Sequence, residues 1–416
     1  MLELLPKEKP QMRAATSSPN HITRLAWASL LLISACASHQ APRAGEAPNQ
    51  EFAAKGYATA EHDSVNTTRH TWTVSGRDVK LVLVEPARPG AFPVVIYLPG
   101  LGETSDSGER WRIAWASAGY GVVSVQLMED DATAWQSELA RSGDFKALGR
   151  QHYAGSVMSK RVQLLASLIS EGQRRSLAGD AAWQRLDWNK LAIAGFDLGA
   201  YTAMTAAGEH VRDADDAAGR VHVSAVIALS PFASSAAGSF DTRYRDIRAP
   251  VMSVTSDVDG DALGLVDSAY LREAPFSHME GSNKYLLSLQ GFPHAGLSGS
   301  AGAEGLKKTY AEPMTRSQDT DGKTSGDDSG QRRRGGRRGG SGDGDKSARA
   351  RPDASSGEGA DAASLSPSAL QMRLMAARDV STAFLNAYVK DDPLAREWLA
   401  GDAKRWLGTM GELRRR

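Results

Sequence analysis

The stretch LAIAGFDLGAYTAM, Leu191–Met204, decides how the rest of the chain is read. Its first half is an apolar run of the kind buried on both faces of a sheet, and its second half is rich in small residues that suit a helix packed close against that sheet. Between the two the chain must reverse almost at once. Gly195 and Gly199 bracket the reversal as G-x-x-x-G, and Asp197 stands at its centre. Such a turn leaves its central residue with an unusual backbone and an exposed side chain, and small residues two positions to either side permit the close approach. Asp197 has a plain reading as a helix N-cap, which aspartate favours, and it tolerates unusual backbone angles. Its other reading is a carboxylate held out for chemistry.

Working outward, short apolar runs recur on both sides of this turn. HTWTV (70–74) and VKLVLVEPA (79–87) lie close together, as an antiparallel start requires. PVVIYLPG (93–100), GVVSVQL (121–127), SAVIALSP (224–231), VMSVTSD (251–257) and KYLLSLQG (284–291) follow, mostly apolar throughout. Segments of helical spacing intervene, among them ERWRIAWASAG (109–119) and GSVMSKRVQLLASLISEG (155–172). Strands alternating with helices predict an α/β fold, a mostly parallel central sheet with helices on both faces. Ligands of such sheets bind beyond the carboxyl ends of the strands.

The chemistry-bearing residues fall at those ends. Pro99-Gly100-Leu101-Gly102 closes one strand, and the amides of Leu101 and of Leu198, just after Asp197, are candidate donors to a developing oxyanion. Asp257, Asp259 and Asp261 follow a later strand, and His294 follows the last apolar run. His210, His222 and His278 read as ordinary loop or core histidines. Trp111, Trp115, Trp135 and Tyr244 could line a pocket, but the default for such aromatics is packing in or near the core.

Composition sets the surroundings. Of 416 residues 41% are hydrophobic and 24% charged, and 49 basic residues balance 49 acidic ones, so net charge points to no nucleic-acid or acidic partner. The single cysteine excludes an intrachain disulfide. Arg24 precedes the run LAWASLLLISAC, ending at Cys36, which is too short to span a bilayer and reads as an export signal over 1–36. Residues 37–55 read as a flexible tether and 56–311 as the main domain. Residues 312–366, with RRRGGRRGG, have almost no apolar side chains and read as a disordered insertion. In 367–416 apolar residues return at helical spacing, as a helical part of the same domain. The Arg/Gly run lacks interleaved aromatics, so contact with an anionic surface or a merely solvated linker is expected over nucleic acid.

The order of Asp197, an acidic residue and then His294 resembles the α/β-hydrolase superfamily, and more closely its dienelactone-hydrolase-like and platelet-activating-factor-acetylhydrolase-like branch, over roughly 70–300 and the final helix. The resemblance implies a nucleophile position at Asp197, the histidine at His294, the acid at Asp259, oxyanion amides at Leu101 and Leu198, turn glycines at Gly195 and Gly199, and no cofactor or metal. Ile33–Cys36 resembles a lipobox, implying a bacterial envelope protein lipid-anchored at Cys36, facing the periplasm or exterior from the outer membrane. The departure is Asp197, where the family carries serine. A hydrolase of a small ester-like substrate is expected. Kept open beside it are an aspartate-nucleophile hydrolase of the epoxide or haloalkane kind, for which SSAAGSFDTRYRDIRAP (234–250) is too short to hold the usual cap, an inactive scaffold that binds without catalysis, and a polyanion binder working through the Arg/Gly run.

Overall fold

A computed structural model describes residues 46–215, 220–301 and 365–416. The apolar runs form nine strands of one mixed sheet. They are β1 Val65–Val74, β2 Arg77–Pro86, β3 Phe92–Leu98, β4 Gly121–Gln126, β5 Leu186–Phe196, β6 Ala225–Leu229, β7 Val251–Ser256, β8 Lys284–Leu289 and β9 Gly411–Arg415. Their spatial order is β1-β2-β4-β3-β5-β6-β7-β8-β9. β1 and β2 are an antiparallel hairpin turning at Ser75-Gly76, both at positive φ as a two-residue hairpin turn requires. β2 runs antiparallel to β4, whereas β4, β3, β5, β6, β7 and β8 are mutually parallel. β9 closes the far edge antiparallel to β8.

The helices are α1 Glu46–Ala54, α2 Glu109–Ser117, α3 Glu129–Ala132, α4 Glu138–Arg141, α5 Phe145–His152, α6 Gly155–Leu177, α7 Leu198–Ala206, α8 Phe240–Arg243, α9 Ala274–His278, α10 His294–Leu297, α11 Pro367–Val389, α12 Pro393–Ala400 and α13 Asp402–Leu407. They cover both faces. On one face Met158, Leu165 and Leu168 of α6 and Met204 of α7 pack with Ile193 and Val226 of the sheet. On the other, Trp111 and Trp115 of α2 and Val380 and Phe384 of α11 pack with Val122, Met252 and Tyr285. Every residue of β4, β6 and β7 is buried, which is why these strands read as continuous apolar runs without alternation.

α11 starts where the sequence expects order to return. The Ser366 side chain caps it by accepting from the Ala369 amide at 3.2 Å, and Pro367 takes the first helical position, whose amide needs no partner. The flexible tether expected over 37–55 is corrected at its C-terminal end. Residues 46–54 form α1, and Phe52 stacks on Trp406 with ring centroids 4.2 Å apart while the Trp406 indole donates to the Phe52 carbonyl at 2.9 Å. One aromatic in an otherwise polar segment supplies the anchor that composition alone did not reveal. Cys36, the export signal and nearly all of the polar insertion lie outside the described residues.

Candidate active site

The reversal after β5 has the expected geometry. Asp197 sits at φ 52° and ψ −110°, a sparsely populated conformation that costs about 1–3 kcal/mol and persists only where packing enforces it. The enforcement comes from close approach. A Cβ at Gly195 would collide with the backbone of Gly199 and Ala200, and one at Gly199 with the carbonyls of Leu98 and Pro99. The Asp197 amide donates to the Leu229 carbonyl of β6 at 2.9 Å, fixing the turn to the next strand. Although α7 begins at Leu198, the Asp197 side chain caps no amide. Its Oδ2 accepts instead from the Tyr153 hydroxyl at 2.6 Å, and the carboxylate is almost wholly buried.

The acid and the histidine meet as the chain order suggested. Asp259 follows β7, His294 follows β8, and His294 Nδ1 donates to Asp259 Oδ1 at 2.7 Å. Asp259 is completely buried and held from all sides. Ser230 Oγ donates to the same oxygen at 2.9 Å, Thr255 Oγ1 donates to Oδ2 at 2.7 Å, and the Arg272 guanidinium lies 3.4 Å away. Burial pushes the Asp259 carboxyl up, but Arg272 and His294 outweigh it and hold it below the usual range. Asp259 is thus an ionised anchor for the ring rather than a base in its own right. Asp257 accepts from the Gly291 amide at 2.6 Å, and Asp261 accepts from the amides of Leu263, Leu265 and Val266, so both shape loops.

His294 is positioned from behind as well. The Trp111 indole donates to the Leu297 carbonyl at 2.9 Å and the Tyr97 hydroxyl to the Ser298 carbonyl at 2.9 Å, which pins α10 to the core. The ring packs on Phe196, with centroids 4.9 Å apart, placing it beside the turn. Burial lowers the His294 pKa, but the hydrogen bond and charge of Asp259, with the charge of Asp197, raise it above the ordinary 6.5. A raised pKa means that this interaction stabilises the fold fully below pH 6.5 and loses its contribution as pH rises through the folded value. Urea midpoints of the protein and of His294→Gln are therefore expected to converge as pH rises from 6 to 9; a gap that widens over that range would contradict the arrangement.

The loop after β3 closes the site. Gly100 approaches so near that a Cβ there would lie 2.7 Å from the Phe196 ring and 3.4 Å from the Asp197 Cβ. Among the described residues no hydrogen-bond acceptor is assigned to the Leu101 amide or the Leu198 amide. The same loop carries Glu103, whose carboxylate accepts from the Gly100 amide at 3.0 Å and from Ser300 Oγ at 2.9 Å. Burial, with the nearby charge of Asp197, raises its pKa above the usual range.

Above the site lies a cover that the sequence reading did not find. It comes between β4 and α6, not between β6 and β7, and consists of α3, α4 and α5. The Asp131 carbonyl accepts from the Gly102 amide at 2.8 Å, the Trp135 indole donates to the Leu101 carbonyl at 3.2 Å, and Gly149 packs against Leu263 and Leu265 of the acid loop. The cover is pinned by a buried cluster in which Asp131 pairs with Arg161 and with His152, the latter at 3.2 Å. Tyr153 closes α5 and reaches Asp197 from this side. Trp111, Trp115 and Tyr244 are core residues, and Trp135 is half exposed on the cover. His210 and His278 pair with Asp246 and Asp241 away from the site, and His222 is exposed.

Among the described residues no group of three or more metal-ligating side chains is present. No protein-family model matches the chain, and no curated protein matches it. What fold and site define together is an α/β protein with a strained aspartate, a histidine–aspartate pair and two amides that have no acceptor among the described residues, at the carboxyl ends of the parallel strands of a mixed sheet.

Proposed function

We propose that the protein is a hydrolase on the α/β-hydrolase plan in which Asp197 is the nucleophile, and that its substrate is a small molecule with a saturated carbon bearing an oxygen or halogen leaving group. The observation that carries the reading is the convergence of a strained, buried aspartate with a histidine whose Nδ1 is committed to Asp259. That commitment fixes the tautomer and leaves Nε2 as the nitrogen able to take a proton from water. The turn after β5, the acid after β7 and the histidine after β8 also follow the superfamily's order.

A carboxylate needs no base to become nucleophilic at neutral pH. Against an acyl ester it would have to form a reactive anhydride, whereas at a saturated carbon it forms a stable ester that water can then cleave. Ser230 does not rescue a serine-esterase route. Its hydroxyl lies 3.1 Å from His294 Nδ1, the nitrogen already bonded to Asp259, and donates to Asp259 itself. The amides of Leu101 and Leu198 are the donors available to the departing atom.

The test exposes the protein and His294→Gln to styrene oxide, 1-bromobutane and p-nitrophenyl acetate. His294→Gln should accumulate an ester on the peptide containing Asp197 with one of the first two reagents, detected by mass. In water labelled with oxygen-18, label should enter Asp197 before it enters product. Rapid hydrolysis of the acetate ester alone, with no adduct in either protein, would remove the aspartate-nucleophile reading.

A further inference from the structure

The two oxygens of Asp197 are not equivalent. Oδ2 holds the Tyr153 hydroxyl at 2.6 Å, and Oδ1 has no described partner. The phenol is fixed in turn. Tyr153 is buried, with Phe232 at a ring-centroid distance of 4.7 Å and Tyr201 at 6.0 Å, and the backbone carbonyls of Phe232 and Ser234 are held by the buried Arg243 at 2.9 Å each. A neutral phenol in this setting stays protonated, since burial and the charge of Asp197 both push its pKa up. It is a fixed donor aimed at one carboxylate oxygen.

We infer that Tyr153 is a catalytic residue: its hydroxyl leaves Oδ1 as the attacking atom and then holds the negative charge that develops on Oδ2 when the aspartyl ester is hydrolysed. The inference rests on the aspartate-nucleophile reading. In the first step Oδ1 forms a bond to the substrate carbon, and the bond from that carbon to its leaving group breaks, the electron pair departing with the oxygen or halide. In the second step water adds to the Asp197 Cγ, a proton of that water passes to His294 Nε2, and the carbonyl pair moves onto Oδ2. Collapse restores the carbonyl and breaks the bond between Cγ and Oδ1, so the alcohol leaves with Oδ1 and takes the proton from His294, and the second proton of the water passes to solvent as the Asp197 carboxylate re-forms. The oxyanion of this step resides on Oδ2, where the described hydrogen bonds place the Tyr153 hydroxyl and neither candidate amide. A preorganised donor at such an oxygen accounts for about 10²–10³-fold in rate.

The experiment measures the formation and decay of the Asp197 ester separately, by rapid-quench mass spectrometry with styrene oxide on the full chain. Tyr153→Phe should form the ester within about 10-fold of the parent rate, because attack by Oδ1 does not use the phenol, and should hydrolyse it about 10²-fold more slowly. Replacement of Tyr153 by 2,3-difluorotyrosine, which keeps the ring and sharpens the donor, should alter decay and leave formation unchanged. It also covers the case in which phenylalanine at 153 disturbs folding. Equal decay in the parent and in both variants would overturn the role of Tyr153 while leaving the aspartyl ester in place. Absence of any ester, even in His294→Gln, would overturn the nucleophile assignment and the inference with it, so the two failures are told apart.

Discussion

Asp197→Asn should lose turnover of styrene oxide, or of whichever probe the protein opens, by on the order of 10⁴-fold or more, as expected when a nucleophile is removed from a unit that works together. Its folding free energy should change by less than about 1 kcal/mol, because asparagine tolerates positive φ nearly as well as aspartate and its amide oxygen still accepts from Tyr153. The substitution therefore separates two roles that alanine would merge. Asp197→Ala would bring backbone strain and an unpartnered buried phenol as well as the lost carboxylate. If Asp197 served only as an acceptor that holds Tyr153 and the cover in place, Asn would preserve that service and turnover would survive. Urea denaturation beside initial rates decides the matter: retained stability with lost rate supports the nucleophile, and retained rate sinks it.

The parts of the site that were legible in sequence share a property. Gly195, Asp197 and Gly199 lie within one turn, and the strand before and helix after them are apolar enough to announce themselves. Asp259 and His294 could be placed because each follows a buried strand, and chain order substitutes for distance when strands are parallel and adjacent. The bond between His294 and Asp259 is a consequence of β7 and β8 lying side by side.

What escaped had no local signal. The cover uses α3 and α4, helices of four residues each, too short for any periodicity to show. Tyr153 reaches Asp197 across 44 positions of sequence and belongs to no motif, so only the folded path of the cover reveals it. β9 was missed for another reason. Its sequence GELRR is charged because it forms the exposed edge of the sheet, where arginines discourage further pairing, and edge strands lack the apolar run that marks interior ones. Ser230, just after β6, belongs to no motif, and its φ of 54° and its donation to Asp259 are set by β6, β7 and Arg272 together.

The wall behind the site yields a second large effect. Arg243 is completely buried, its Nε donates to Glu209, and its remaining nitrogens donate to the carbonyls of Phe232 and Ser234. Its guanidinium lies 5.2–5.5 Å from the ring centroids of Tyr201, Phe232 and Tyr244, a cation surrounded by aromatic faces. Arg243→Met should cost about 3–5 kcal/mol, because it strands a buried carboxylate and frees two carbonyls in the same place. Removing Glu209 instead leaves the arginine its carbonyl bonds and its rings, so Glu209→Gln should cost less, about 1–3 kcal/mol. The double variant Glu209→Met/Arg243→Met should be more stable than the sum of Arg243→Met and Glu209→Met predicts, since the penalty of an unpaired charge is incurred only when one partner stays. Equilibrium urea curves of the four proteins measure this, and strictly additive losses would show that the pair is not coupled. The effect should also reach the chemistry. Phe232, fixed by Arg243, packs against Tyr153, so Arg243→Met should slow probe turnover as well as cost stability, whereas Glu209→Gln, which leaves the bond to the Phe232 carbonyl in place, should retain turnover.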